Sequence, residues 1–89
     1  MTTIWKYKIT PDVLFYSMPE GAKILCAKEQ NEDVYVWAEV DTDRPVEMRK
    51  IMVYVTGHSI PPEPQEYVGT AYLDDGALVL HVYTGTYGA

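Results

Sequence analysis

The chain has 89 residues, 47% of them hydrophobic, and a formal net charge of −6. That length sets a single domain with a thin core, and the apolar content is too high for a disordered chain. The charge disfavours nonspecific binding to nucleic-acid phosphates or to anionic membrane, both of which select lysine and arginine, while leaving room for a local basic pocket.

Cys26 is the only cysteine, so no internal disulfide forms. No apolar run approaches the length of a membrane span. The N-terminal residues lack the basic-then-apolar pattern of a signal peptide, which leads to the expectation of a cytoplasmic protein.

In chain order, Thr2 to Thr10 alternates, with Trp5, Tyr7 and Ile9 on one face and Lys6 and Lys8 on the other. Period two predicts a half-buried strand. Pro11-Asp12 ends it by removing an amide donor and favouring a turn. Val13 to Met18 is apolar and short, a second strand or a turn of helix, with Phe15 and Tyr16 favouring the strand. After the Pro19-Glu20-Gly21 turn, Lys23 to Glu29 reads as a third strand. Its contiguous Ile24, Leu25, Cys26 and Ala27 predict burial on both faces.

Asn31-Glu32-Asp33 turns the chain into a strand over Val34 to Val40. Val34, Val36, Ala38 and Val40 face one way; Tyr35, Trp37 and Glu39 face the other. Both faces are apolar enough to bury, so the Trp37 face is open between core and surface. A polar loop over Asp41 to Pro45 precedes the longest strand, Val46 to Thr56. There Ile51, Val53 and Val55 share a face with Arg49 at its rim, opposite Lys50, Met52, Tyr54 and Thr56.

The strand stops at Gly57-His58, and a proline-stiffened connection runs from Ile60 to Gln65. Tyr67 to Asp74 and Ala77 to Thr84 then form a hairpin about Asp75-Gly76, a pair that tolerates the positive φ angles of a two-residue turn. Gly85 to Ala89 reads as a loose tail.

No segment carries a helical apolar period. The fold class expected is therefore all-β: a small antiparallel meander, barrel or two-layer sandwich of about six to seven short strands. Open sheets leave edges, so either the sheet closes or two copies meet, and a homodimer is compatible with the sequence.

Six stretches occur in a telling order: Trp5-Lys6-Tyr7; Pro19-x-Gly21-Ala22-Lys23-Ile24-Leu25; Trp37-Ala38-x-Val40-Asp41; Gly57-His58-x-Ile60-Pro61; Tyr67-Val68-Gly69-Thr70; and Gly76-Ala77-Leu78-Val79-x-His81-Val82. Together they resemble a family of small uncharacterised proteins encoded by bacteriophages and prophages. The pattern often has Gly at the position of Val55 and Pro at that of Ser59, where this chain departs from it. The resemblance carries no activity and no catalytic residue. It implies a phage accessory protein acting in the bacterial host cytoplasm.

Enzyme chemistry finds little support. Nucleophilic catalysis needs a nucleophile, a base and an orienting group that converge. Ser59 directly follows His58, and neighbours on a strand point apart. Cys26 lies in an apolar strand, where a thiol is inert packing. Two histidines without His-x-His or Cys-x-x-Cys spacing give no metal site, and isolated Gly57 and Gly69 make no phosphate loop. They read instead as a bulge, a bend or a close backbone approach. His58 reads as a strand cap bonding a loop carbonyl, and His81 as a satisfied half-buried residue. No cofactor is expected.

Three functions follow as expectations. The first is a non-enzymatic accessory protein that binds and modulates a host protein, a defence component included, through a rigid aromatic and acidic surface. Tyr35, Trp37 and Tyr54 would be its contacts, with Glu39 and Asp41 at the rim. The second is a sequestering protein for a small nucleotide signal, with Arg44, Arg49, Lys50 and His58 gathered at an oligomer interface. The third is a structural or accessory virion component built through strand edges.

Overall fold

The computed structural model describes residues 1–85. Seven strands account for most of the chain: β1 (Thr2–Ile9), β2 (Phe15–Pro19), β3 (Lys23–Gln30), β4 (Asp33–Asp41), β5 (Val46–Val55), β6 (Gln65–Leu73) and β7 (Leu78–Gly85). They form two antiparallel sheets, β1-β4-β3 and β2-β5-β7-β6. No sheet closes into a barrel among the described residues, and no helix there is long and apolar enough to cross a membrane. The meander expectation also fails. Only β3–β4 and β6–β7 pair as sequence neighbours, while β1 reaches past two strands to β4 and β7 inserts between β5 and β6.

The inner faces follow from side-chain alternation. Val34, Val36, Ala38 and Val40 on β4 are all buried, and Ile9 on β1 lies opposite Val34. From the other sheet come Met18, Ile51, Ala71, Leu80 and Val82, all in the same core cluster. Each sheet thus buries one side against the other, a two-layer packing that fits a sandwich.

Two bulges set which residues face inward. On β3 the register with β4 breaks between Ile24 and Cys26. Ile24 faces inward opposite Ala38, Leu25 occupies the bulge, and Cys26 faces outward opposite Trp37. A bulge inserts one residue and inverts the alternation beyond it. Leu25 is accordingly exposed. The apolar run therefore does not mean burial on both faces. On β6 the break lies between Tyr67 and Gly69, turning Tyr67 outward and Gly69 inward.

The turns obey local chemistry. The N–H of Ala77 donates to the carbonyl of Asp74 across Asp75-Gly76, both with positive φ. The ladder ends at Leu73–Leu78, so the loop is longer than two residues, and Asp74 also adopts positive φ. Tyr16 ties the β1–β2 connection. Its hydroxyl accepts the Thr10 N–H at 3.1 Å and donates to the Val13 carbonyl at 2.9 Å. The second strand consequently begins at Phe15 rather than Val13. The tail reading falls largely on residues 86–89, outside the described residues; Gly85 itself ends β7.

Tyr7 contributes an imperfect inward contact. Its ring packs on the core, but its hydroxyl is buried without a hydrogen-bond partner. Burial raises its pKa above the ordinary tyrosine value of 10.0, because the charged phenolate is disfavoured there. A raised folded-state pKa stabilises the fold below the unfolded value and loses that contribution as pH climbs through the folded one. Replacing Tyr7 by Phe removes an unpaired polar group and nothing that it bonds. We expect Tyr7→Phe to equal or exceed the parent by about 1 kcal/mol in urea unfolding at neutral pH, and to flatten the stability loss above the tyrosine range. A clear destabilisation would show that the hydroxyl has a partner in solution.

Candidate functional site

The outer face of β1-β4-β3 is built on the central strand. Tyr35 and Trp37 stand two residues apart on β4 and so share that face, ring centroids 6.2 Å apart and tilted by 52°. Cross-strand pairing sets their neighbours: Lys6 and Cys26 flank Trp37, and Lys8 and Lys28 flank Tyr35. One row further, Ile4 and Lys23 flank Glu39. The Lys6 ammonium lies 4.7 Å from the Tyr35 ring centroid, and donates to Gln30 Oε1 at 2.8 Å. Cation–π attraction holds the side chain across the ring. Ile4, 56% exposed, adds apolar surface. The Trp37 face is surface, not core: both rings are half-buried while the valines opposite them are fully buried.

The second aromatic group lies on the outer face of the other sheet. Tyr83 on β7 meets Tyr54 on β5 and Tyr67 on β6 edge-to-face, at centroid distances of 5.4 and 5.6 Å. Tyr54 donates to Gln65 Oε1 at 2.9 Å. His81 sits between two hydroxyls, Thr56 Oγ1 at 2.7 Å from Nε2 and Thr70 Oγ1 at 3.2 Å from Nδ1. Each hydroxyl can donate or accept, so the ring is satisfied in either tautomer. Outer faces of two packed layers point apart, which separates Tyr54 from Trp37 and Tyr35. The five sequence-level contacts therefore divide.

The acidic rim divides too. Glu39 is exposed on the Trp37 face. Asp41, at the end of β4, is engaged locally. Its Oδ1 accepts the Asp43 N–H at 3.0 Å and the N-terminal ammonium at 3.3 Å. The backbone bond first, and then the ammonium, hold its carboxyl below the usual range. The ammonium is raised in turn, chiefly by its bond to Asp43.

The four cationic candidates lie at four places. Arg44 pairs with Glu20. Lys50 faces outward on β5 and meets Glu63 at 3.1 Å. His58 is exposed beyond the Gly57 turn, where its backbone amide, not its ring, closes the turn onto Val55 at 3.0 Å. Arg49 faces inward, donating from Nη2 to the Ala22 carbonyl at 2.6 Å, and alone among the four lines a cleft of about 340 Å³ shared with Lys23, Glu66 and Thr84.

The lysines around Trp37 escaped sequence reasoning. Lys6 and Lys8 are legible as one face of β1. Lys23 and Lys28 are five apart, an odd spacing that a regular strand would place on opposite faces. The bulge at Leu25 reconciles them.

Residues 1–88 are matched by the model of a family described as a domain of unknown function (DUF7352). The chain belongs to this family. Its match takes in every described strand of both sheets, and so the whole Trp37 face. No curated protein and no solved structure matches the chain.

Proposed function

We propose that the protein is a non-enzymatic binding module that docks a host protein through the outer face of β1-β4-β3, with Trp37 and Tyr35 as anchors. What carries the reading is two large rings held side by side on the central strand of a sheet, uncovered by any other element among the described residues. Aromatic anchors bury much area at low entropic cost, and a strand positions them more rigidly than a loop. The open side of a sheet suits a macromolecule better than a small ligand, whose sites are concave. The resemblance to phage and prophage proteins supports a partner in the bacterial host cytoplasm.

The test is capture from host lysate with the parent protein and with Trp37→Ala. One saturable partner is expected with the parent and at least about tenfold weaker capture with the variant, as truncation of a hot-spot residue produces. Trp37 lies outside the core, so the variant keeps its melting temperature within a few degrees. Equal capture by a folded Trp37→Ala protein would remove this face from consideration.

A further inference from the structure

We infer that the Trp37 face recognises a carboxylate-rich segment of its partner protein. The inference rests on the docking reading above and adds the chemistry of what is docked.

It starts from how charge is distributed. Lys6, Lys8, Lys23 and Lys28, every lysine except Lys50, project from this one face. Of the 13 carboxylate residues only Asp33, Glu39 and Asp41 share it. The negative excess of the chain therefore lies on the rest of the surface.

Pairing sharpens the contrast. Away from this face each cation is engaged: Arg44 with Glu20, Lys50 with Glu63, and Arg49 with the Ala22 carbonyl. On it, Lys8 meets Asp33 at 3.5 Å, but Lys6, Lys23 and Lys28 make no ion pair among the described residues. Lys6 and Lys28 stand beside the two rings and Lys23 beside Glu39, and with four lysines against three carboxylates the face is the positive part of a chain whose net charge is −6. Fields of opposite sign across an interface speed encounter and fix register.

Lysine on edge strands also discourages strand addition. That role does not require lysines of both edges, β1 and β3, to fall on the face that carries the two rings. A polynucleotide fits less well. The face has no arginine fork for phosphate, and a long polyanion would run onto the acidic remainder of the surface. A short segment alternating carboxylates with apolar side chains would set its apolar residues on Trp37, Tyr35 and Ile4, and its carboxylates against Lys6, Lys23 and Lys28.

The probes are a Glu-Leu alternating peptide, a Lys-Leu alternating peptide and oligo-dT, each titrated into Trp5→Phe protein, where Trp37 is the sole tryptophan reporter. The Glu-Leu peptide is expected to shift Trp37 emission. Its affinity should fall about tenfold on raising salt, or on Lys6→Glu with Lys28→Glu. The Lys-Leu peptide and oligo-dT are expected to bind more weakly. Equal or tighter binding of either, or unchanged emission with the Glu-Leu peptide, overturns the inference. The lysate partner separates the two claims. Capture lost with Trp37→Ala but unchanged by the paired lysine reversals keeps the docking face and rejects the acidic segment; capture indifferent to Trp37→Ala rejects the face itself.

Discussion

Gly69→Val is expected to leave the two sheets unable to pack at their β3–β6 border. A Cβ at Gly69 would lie 2.9 Å from the Ala27 carbonyl oxygen and 3.1 Å from the Ala27 nitrogen. Both are backbone atoms of β3, which is hydrogen-bonded to β4 and cannot swing aside as a side-chain tip does. Overpacking of this kind costs roughly 1–3 kcal/mol. Reduced freedom in the unfolded chain returns only about 0.4–1 kcal/mol. Steric conflict therefore wins even for Gly69→Ala, which should lose about 1–2 kcal/mol in urea unfolding. Valine adds two methyl groups to the same collision, and the expected outcome is a protein that unfolds at the temperature of its preparation or fails to accumulate. An alanine variant as stable as the parent would mean that β3 and β6 stand further apart in solution.

Ile51→Ala carries the second large effect. Ile51 is 1% exposed, lies opposite Thr84, and its amide bonds the Leu14 carbonyl at 2.9 Å. It joins the centre of the larger sheet to the core cluster. Truncating a buried isoleucine costs about 2–5 kcal/mol. A domain of this size is stable by only about 5–10 kcal/mol, so the loss takes a large share of it. Melting should fall by something on the order of 15 °C, at about 4–8 °C per kcal/mol. Ile51→Val, which keeps the branch, should cost about 1 kcal/mol. An alanine variant within a few degrees of the parent would place Ile51 in a site that readily refills.

What the sequence discloses is what local chemistry decides. The alternation from Val34 to Val40 names the inner face of β4 residue by residue, and Asp75-Gly76 marks where the chain turns but not the length of the loop, because each depends on neighbours in the chain. The close approach expected at glycine is found at Gly69. Strand order is another matter. Nothing in the alternation of β1 indicates that its partner is β4, so Tyr54 and Trp37 look equally available for one surface when they belong to different sheets. Bulges hide most. A single extra residue at Leu25 turns an apparently two-sided apolar run into a one-sided strand and gathers lysines that spacing alone would scatter. The charge of the Trp37 face thus emerges only once register is known.

The placement of β7 bears on how the molecule is made. Of the seven strands it is the last to leave the ribosome, yet it lies between β5 and β6 and hydrogen-bonds to both. Until it emerges, those two earlier strands have no common neighbour, and their unpaired amides and carbonyls wait in the open. Closure of the larger sheet is thereby deferred until β7 has been made, an interval in which exposed strand edges favour rapid pairing or the help of holding chaperones.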